Sequence, residues 1–167
     1  MILGEPARFA VIFEIVDEWN ADSSFNNGIL MFSVDWKVYP GNEIINATLN
    51  FEIPNLKECM SNIGVNEQIF GLPPNEAFIT IYNLRFPEDW DVDEDCRFDI
   101  SPEVFSDNNC LIFAVSNGSM IRILATSNLE YIKPESRYNL KNIEVSETYI
   151  TIEEWNEIDD LIRNHKC

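Results

Sequence analysis

Residues Cys110 to Ala125 read CLIFAVSNGSMIRILA, two runs of β-branched and aromatic residues separated by Asn117-Gly118. An Asn-Gly pair in that setting is the strongest short hairpin signal, because the mirror-image turn it favours needs positive φ at both central positions. A two-residue turn pairs Ser116 with Ser119 and puts Ile112, Ala114, Ile121 and Ile123 on one face. Leu111, Phe113, Val115, Met120, Arg122 and Leu124 fall on the other. Both faces are apolar, so the hairpin is expected at the centre of a sheet covered on both sides. Arg122 is then a buried cation that requires a carboxylate partner.

Outward from the hairpin, Ile143 to Thr151 supplies a strand, and Thr151-Ile152-Glu153-Glu154 has the spacing of a capping box. The helix after it carries Ile152, Trp155, Ile158, Leu161 and Ile162 on one stripe, with acids elsewhere. Toward the N-terminus, Phe9 to Trp19 reads as a strand leaving a core. Ile29 to Tyr39 alternates so that Leu30, Phe32, Val34, Trp36 and Val38 share one inward face. Ile45 to Ile53 alternates again, which predicts a third strand of an antiparallel meander, stopped by Pro54 before a short helix over Asn55 to Met60. Pro73-Pro74 starts a helix with Ala77, Phe78 and Ile81 on one face, extended by Leu84 and Arg85, and Pro87 ends it. Ser101-Pro102-Glu103 reads as a serine-capped turn. The chain is thus expected to be one α+β domain over residues 1–167, a mostly antiparallel sheet of about five to six strands around the Asn-Gly hairpin, packed with two main helices.

The chain carries 29 acidic and 11 basic residues, a formal net charge of -18, on a sequence that is 46% hydrophobic. That apolar content supports a folded core rather than an acidic disordered chain. The field repels nucleic acid and anionic membranes and draws in cationic proteins. MILGEPARFAVIF has no basic segment leading into a long apolar run, and no stretch approaches the ~18 apolar residues of a membrane span, so a cytoplasmic location is expected. Cys59, Cys96, Cys110 and Cys167 are widely spaced, which favours free thiols over a zinc site or a disulfide framework.

The densest acidic stretch is Pro87 to Asp99, PEDWDVDEDCRFD, with seven carboxylates. A calcium-loop reading fails on spacing. From Asp89 the glycine position holds Glu94 and the closing glutamate position holds Ile100; from Asp91 they hold Cys96 and Pro102. The only histidine, His165, lies three residues from the end, and no nucleophile elbow, phosphate loop or zinc-helix motif is present, so neither catalysis nor a cofactor is expected. Binding remains. Asp89, Trp90, Asp91, Asp93, Glu94 and Asp95, with Glu18 and Trp19, combine aromatic area with carboxylates suited to a basic protein surface. The alternative for Trp19 and Trp90 is an ordinary core position at an element end.

Gly4 to Val16 (GEPARFAVIFEIV), Glu76 to Pro87 (EAFITIYNLRFP), Phe98 to Pro102 (FDISP) with FSD after it, the central hairpin and the closing helix together resemble the bacterial immunity protein 42 family, essentially from end to end. The resemblance implies a cytosolic α+β protein encoded beside a polymorphic toxin, which it neutralises by stoichiometric occlusion. It brings no catalytic, metal or binding residues. Charge adds a basic toxin domain as the expected partner, with a nuclease an attractive case because an acidic inhibitor can fill a groove meant for phosphates. The competing class is an acidic imitator of DNA without a dedicated toxin.

Overall fold

The computed structural model describes residues 1–21, 24–41, 44–89 and 91–164. The central hairpin forms as β6 (Leu111–Ser116) and β7 (Met120–Thr126), but Ser116 pairs with Ile121 rather than Ser119. Asn117 shapes the longer loop: its N–H donates to the Met120 carbonyl (3.2 Å), and its Oδ1 accepts from Ser119 N (3.0 Å) and Met120 N (2.9 Å). The register moves by two, so every side chain keeps the face expected of it. Ile112, Ala114, Ile121 and Ile123 enter one buried cluster, and Leu111, Phe113, Val115 and Leu124 enter another.

The hairpin is not in the middle of one large sheet. With β10 (Ser146–Thr151) it forms a three-stranded sheet ordered β10-β7-β6. The outer edge of β6 is closed by Val65 and Asp99, which bridge to Ser116 and Phe113. A second, five-stranded sheet holds β1 (Ile2–Glu5), β2 (Phe9–Ile15), β3 (Asn27–Val34) and β4 (Lys37–Tyr39) in that order, with β5 (Asn46–Thr48) also on β3. A small third sheet pairs β8 (Glu130–Ile132) with β9 (Arg137–Asn139). All strand pairs are antiparallel.

The expected single strand over Ile29 to Tyr39 is a tight hairpin. Asp35 and Trp36 take φ of 50° and 65°, the two left-handed positions of a mirror-image turn, and Val34 pairs with Lys37. Folding back at two residues flips the parity of the returning strand. Trp36 and Val38, expected inside, are 73% and 44% exposed, while Tyr39 is buried and its hydroxyl donates to Ser146 Oγ at 2.7 Å.

The expected strand over Ile45 to Ile53 is also shorter. It ends at Thr48, and α1 runs from Leu49 to Ser61 with Pro54 inside it. Leu49, Ile53, Leu56 and Met60 form a helical stripe, all buried, and burying four such side chains outweighs the hydrogen bond that Pro54 removes. α2 (Glu67–Phe70) is a short addition. α3 (Pro74–Arg85) forms as expected except that Tyr82, not Leu84, completes its buried face. α5 (Ile152–Asn164) begins on the expected box: Thr151 Oγ1 accepts from Glu154 N (3.1 Å) and Glu154 Oε2 accepts from Thr151 N (2.8 Å). Trp155, Ile158 and Ile162 are buried, but Leu161 is exposed.

α4 (Glu103–Asp107) is capped differently from expectation. Ser101 Oγ instead accepts from Ile112 N and donates to its carbonyl. The α4 amides of Glu103 and Val104 donate to the buried Glu52 carboxylate at 3.0 and 2.9 Å, a role the carboxylate group fills well at a positive helix end. One core lies between the two large sheets with α1 and α5; the other lies between β6–β7 and α2–α3.

Candidate toxin-facing surface

The acidic segment hangs from the end of α3. The amide of Phe86 donates to Tyr82 O (2.8 Å), and farther along Asp95 N donates to Leu84 O (2.9 Å), so both ends of the loop are tied to the last helical turn. Arg85 sets its base: Nε donates to Asp99 Oδ2 at 3.1 Å, NH1 pairs with Glu94, and the guanidinium lies 4.7 Å from the Phe86 ring centre. Asp95 is gripped by Arg97 through two bonds of 2.9 and 2.8 Å, which holds its carboxyl below the usual aspartate range. Glu88 reaches Arg137 at 3.3 Å. Asp89 shapes the turn by accepting Asp91 N at 3.0 Å.

Four of the seven carboxylates are therefore matched within the fold, and Asp89, Asp91 and Asp93 face no cation among the described residues. They flank Val92, which is 54% exposed, beside a cleft of about 580 Å³ lined by Phe86, Pro87, Glu88, Asp89, Glu135 and Arg137. Trp90 lies outside the described residues.

Glu18 and Trp19 occupy a 3-10 turn over Asp17–Trp19, between β2 and β3. Trp19 is 38% exposed and belongs to neither core, so it is not the buried element end that was the alternative. The cleft beside the acidic loop is not lined by the Asp17–Trp19 turn. The aromatic that sequence reasoning missed is Trp36, hidden because its strand pattern reads inward through an unrecognised turn.

Cys59, Cys96 and Cys110 are free thiols, and burial pushes those of Cys59 and Cys110 up, the reverse of nucleophile activation. Cys167 and His165 lie outside the described residues. Among the described residues no three histidine, cysteine or carboxylate side chains converge as metal ligands.

A family model described as Immunity protein 42 matches residues 1–162. The chain belongs to the immunity protein 42 family. Its function is therefore to neutralise a toxin, and its partner is a cognate toxin. The crystal structure of CdiI from Burkholderia dolosa AUO158 has the same fold, with a TM-score of 0.78 over 99% of this chain and 100% of that one, at 22% sequence identity. No curated protein matches the sequence. Among the described residues no helix of this Imm42 protein is long and apolar enough to cross a membrane.

Proposed function

We propose that this Imm42 protein inhibits its toxin stoichiometrically, binding a basic toxin domain and covering a surface the toxin needs, with no bond made or broken. Asp89, Trp90, Asp91, Asp93, Glu94 and Asp95 form one contact region, and Glu18 with Trp19 a second. The observation that carries this reading is the division of labour in the acidic loop. Arg85, Arg97 and Arg137 hold its ends and base, leaving Asp89, Asp91 and Asp93 uncompensated around an exposed valine. Carboxylates so placed steer a cationic partner and then pair with it. A toxin that itself binds nucleic acid offers such a surface, since the groove that takes phosphates also takes carboxylates.

The test replaces Asp89, Asp91 and Asp93 together by serine and measures association with the toxin domain encoded beside this chain, from about 0.05 to 0.5 M salt. Steering accelerates association by ~10- to 1,000-fold, so losing the loop's share should slow it about tenfold at low salt and flatten its salt dependence. An unchanged on-rate and salt slope would refute the loop's role.

A further inference from the structure

The first sheet has an outer side that neither core covers. The ladder sets Ile2 opposite Ile12 and Ile12 opposite Met31, a row of three aliphatic side chains across β1, β2 and β3. Ile29 lies in the next row, between Glu14 on β2 and Asn46 on β5, and Val38 on β4 stands beside Ser33. None of these five apolar side chains belongs to or packs against either core; Ile2 is 59% exposed. A half-buried antiparallel sheet ordinarily turns polar side chains to water. Here part of the outer side is sealed by the Pro6 turn, whose carbonyl accepts from Ser33 Oγ at 2.7 Å, and of the five aliphatic side chains Ile2 and Val38 are exposed while Ile12, Ile29 and Met31 are half-buried. Aliphatic side chains shown to solvent where polar ones are usual mark this face as an interaction surface.

Trp36 stands at the end of this face, on the tip of the β3–β4 hairpin, and is the most exposed large apolar residue described. Its φ of 65° is one that asparagine or glycine adopts with less strain, and tryptophan is the residue type most enriched among interface anchors. The rim is mainly acidic. Glu5, Glu14 and Asp35 are exposed; Glu14 lies 3.9 Å from the terminal amine, and Asp35 neighbours Lys37, whose amine is engaged by Glu144 at 2.7 Å. A second copy would bring like-charged rims together, each on a chain of net charge -18, whereas a cationic partner is drawn in.

We propose that the outer face of the first sheet, with Trp36 at its margin, is a docking surface for the cognate toxin and supplies the short-range apolar contact that keeps the complex together. The proposal rests on the reading that the protein works by binding its toxin, but not on the acidic loop, which belongs to a different part of the fold. An apolar centre inside a charged rim is the usual anatomy of such a contact.

The test uses the full chain carrying a photo-reactive benzophenone side chain at position 38 or, separately, at position 91, irradiated with the neighbouring toxin domain and resolved by mass spectrometry. The position 38 probe should crosslink to the toxin. Trp36→Ala, checked for unchanged thermal unfolding, should raise the dissociation rate at least about tenfold while leaving the salt slope of association unaltered. Crosslinking of position 38 to a second copy overturns the proposal and assigns the face to self-association. Failure of position 38 while position 91 still captures the toxin overturns the sheet-face proposal alone. Failure of both removes it together with the acidic-loop contact.

Discussion

Arg122 fixes how α2 meets the central sheet, and its replacement has a calculable cost. The guanidinium is 1% exposed; Nε and NH2 reach Glu147 Oε2 at 2.9 and 2.7 Å, and NH1 donates to Phe70 O (2.9 Å) and Leu72 O (2.7 Å). Arg122→Met keeps most of the volume but leaves two carbonyls without their donor, at ~1–3 kcal/mol each. Glu147 is about one-third exposed at 32% and can return to water, so the lost ion pair adds less than the ~3–5 kcal/mol of a fully buried one. The regained burial of a methionine offsets part of this, and the expected net loss is about 3 kcal/mol. For a chain of this length that lowers Tm by roughly 6–12 °C, and amides over 67–72 should lose exchange protection first. Glu147→Gln should cost less, about 1–2 kcal/mol, because the buried guanidinium loses its compensating charge but keeps both carbonyl acceptors and an amide oxygen. Thermal unfolding of the two variants checks this. If Arg122→Met costs less than about 1 kcal/mol, or Glu147→Gln costs as much as Arg122→Met, the carbonyl contacts are not what the arginine is for.

Glu52→Ala should lose about 2 kcal/mol in urea unfolding by removing the acceptor for two α4 amides. Burial holds the Glu52 carboxyl above the usual glutamate range, against the pull of its backbone hydrogen bonds. Its contribution is therefore complete below the unfolded pKa and declines as pH rises through the folded value, so Glu52→Gln should flatten that part of the stability profile. An unaltered slope would contradict the assignment. Gly64→Ala places a methyl against the buried Phe98 ring and should cost ~1–3 kcal/mol, more than Gly118→Ala, which meets open space and bears only the ~1 kcal/mol of a φ of +95°. Equal unfolding midpoints for the two would refute the steric account.

The two hairpins show why one part of this fold is legible in sequence and another is not. Asn117-Gly118 declares its turn, and although the loop is longer than expected, a shift of two leaves the period-2 pattern intact and both core faces are read correctly. Asp35-Trp36 declares little, since aspartate suits the left-handed region but tryptophan does not, and the alternation runs unbroken through a turn that reverses it. α1 fails for a related reason: Leu49 and Ile53 fit both a strand and a helix, and only Leu56 and Met60, beyond a discouraging proline, decide for the helix. At the surface, charge and bracketing prolines locate the acidic loop. Which carboxylates remain uncompensated depends on Arg85 and Arg137, brought there by tertiary packing. The aliphatic sheet face is illegible because β1, which completes its row, and the β3–β4 turn, which brings Val38 beside Ser33, are themselves not read.

Charge and apolar area divide the work of binding by magnitude. A complex of nanomolar affinity requires about 12 kcal/mol. Exposed ion pairs contribute at most ~1 kcal/mol each, so Asp89, Asp91 and Asp93 together supply no more than about 3 kcal/mol, and less as salt screens them beyond ~8 Å. In the proposed complex those acids would govern how often the partners meet, but they would not hold it together. The larger part must come from desolvated apolar surface and its anchors, and the Ile2–Ile12–Met31 row with Trp36 offers such a surface without unfolding anything. The consequence is a separation of variables: adding salt should slow association strongly yet change the lifetime of the formed complex little, and substitutions on the sheet face should do the reverse.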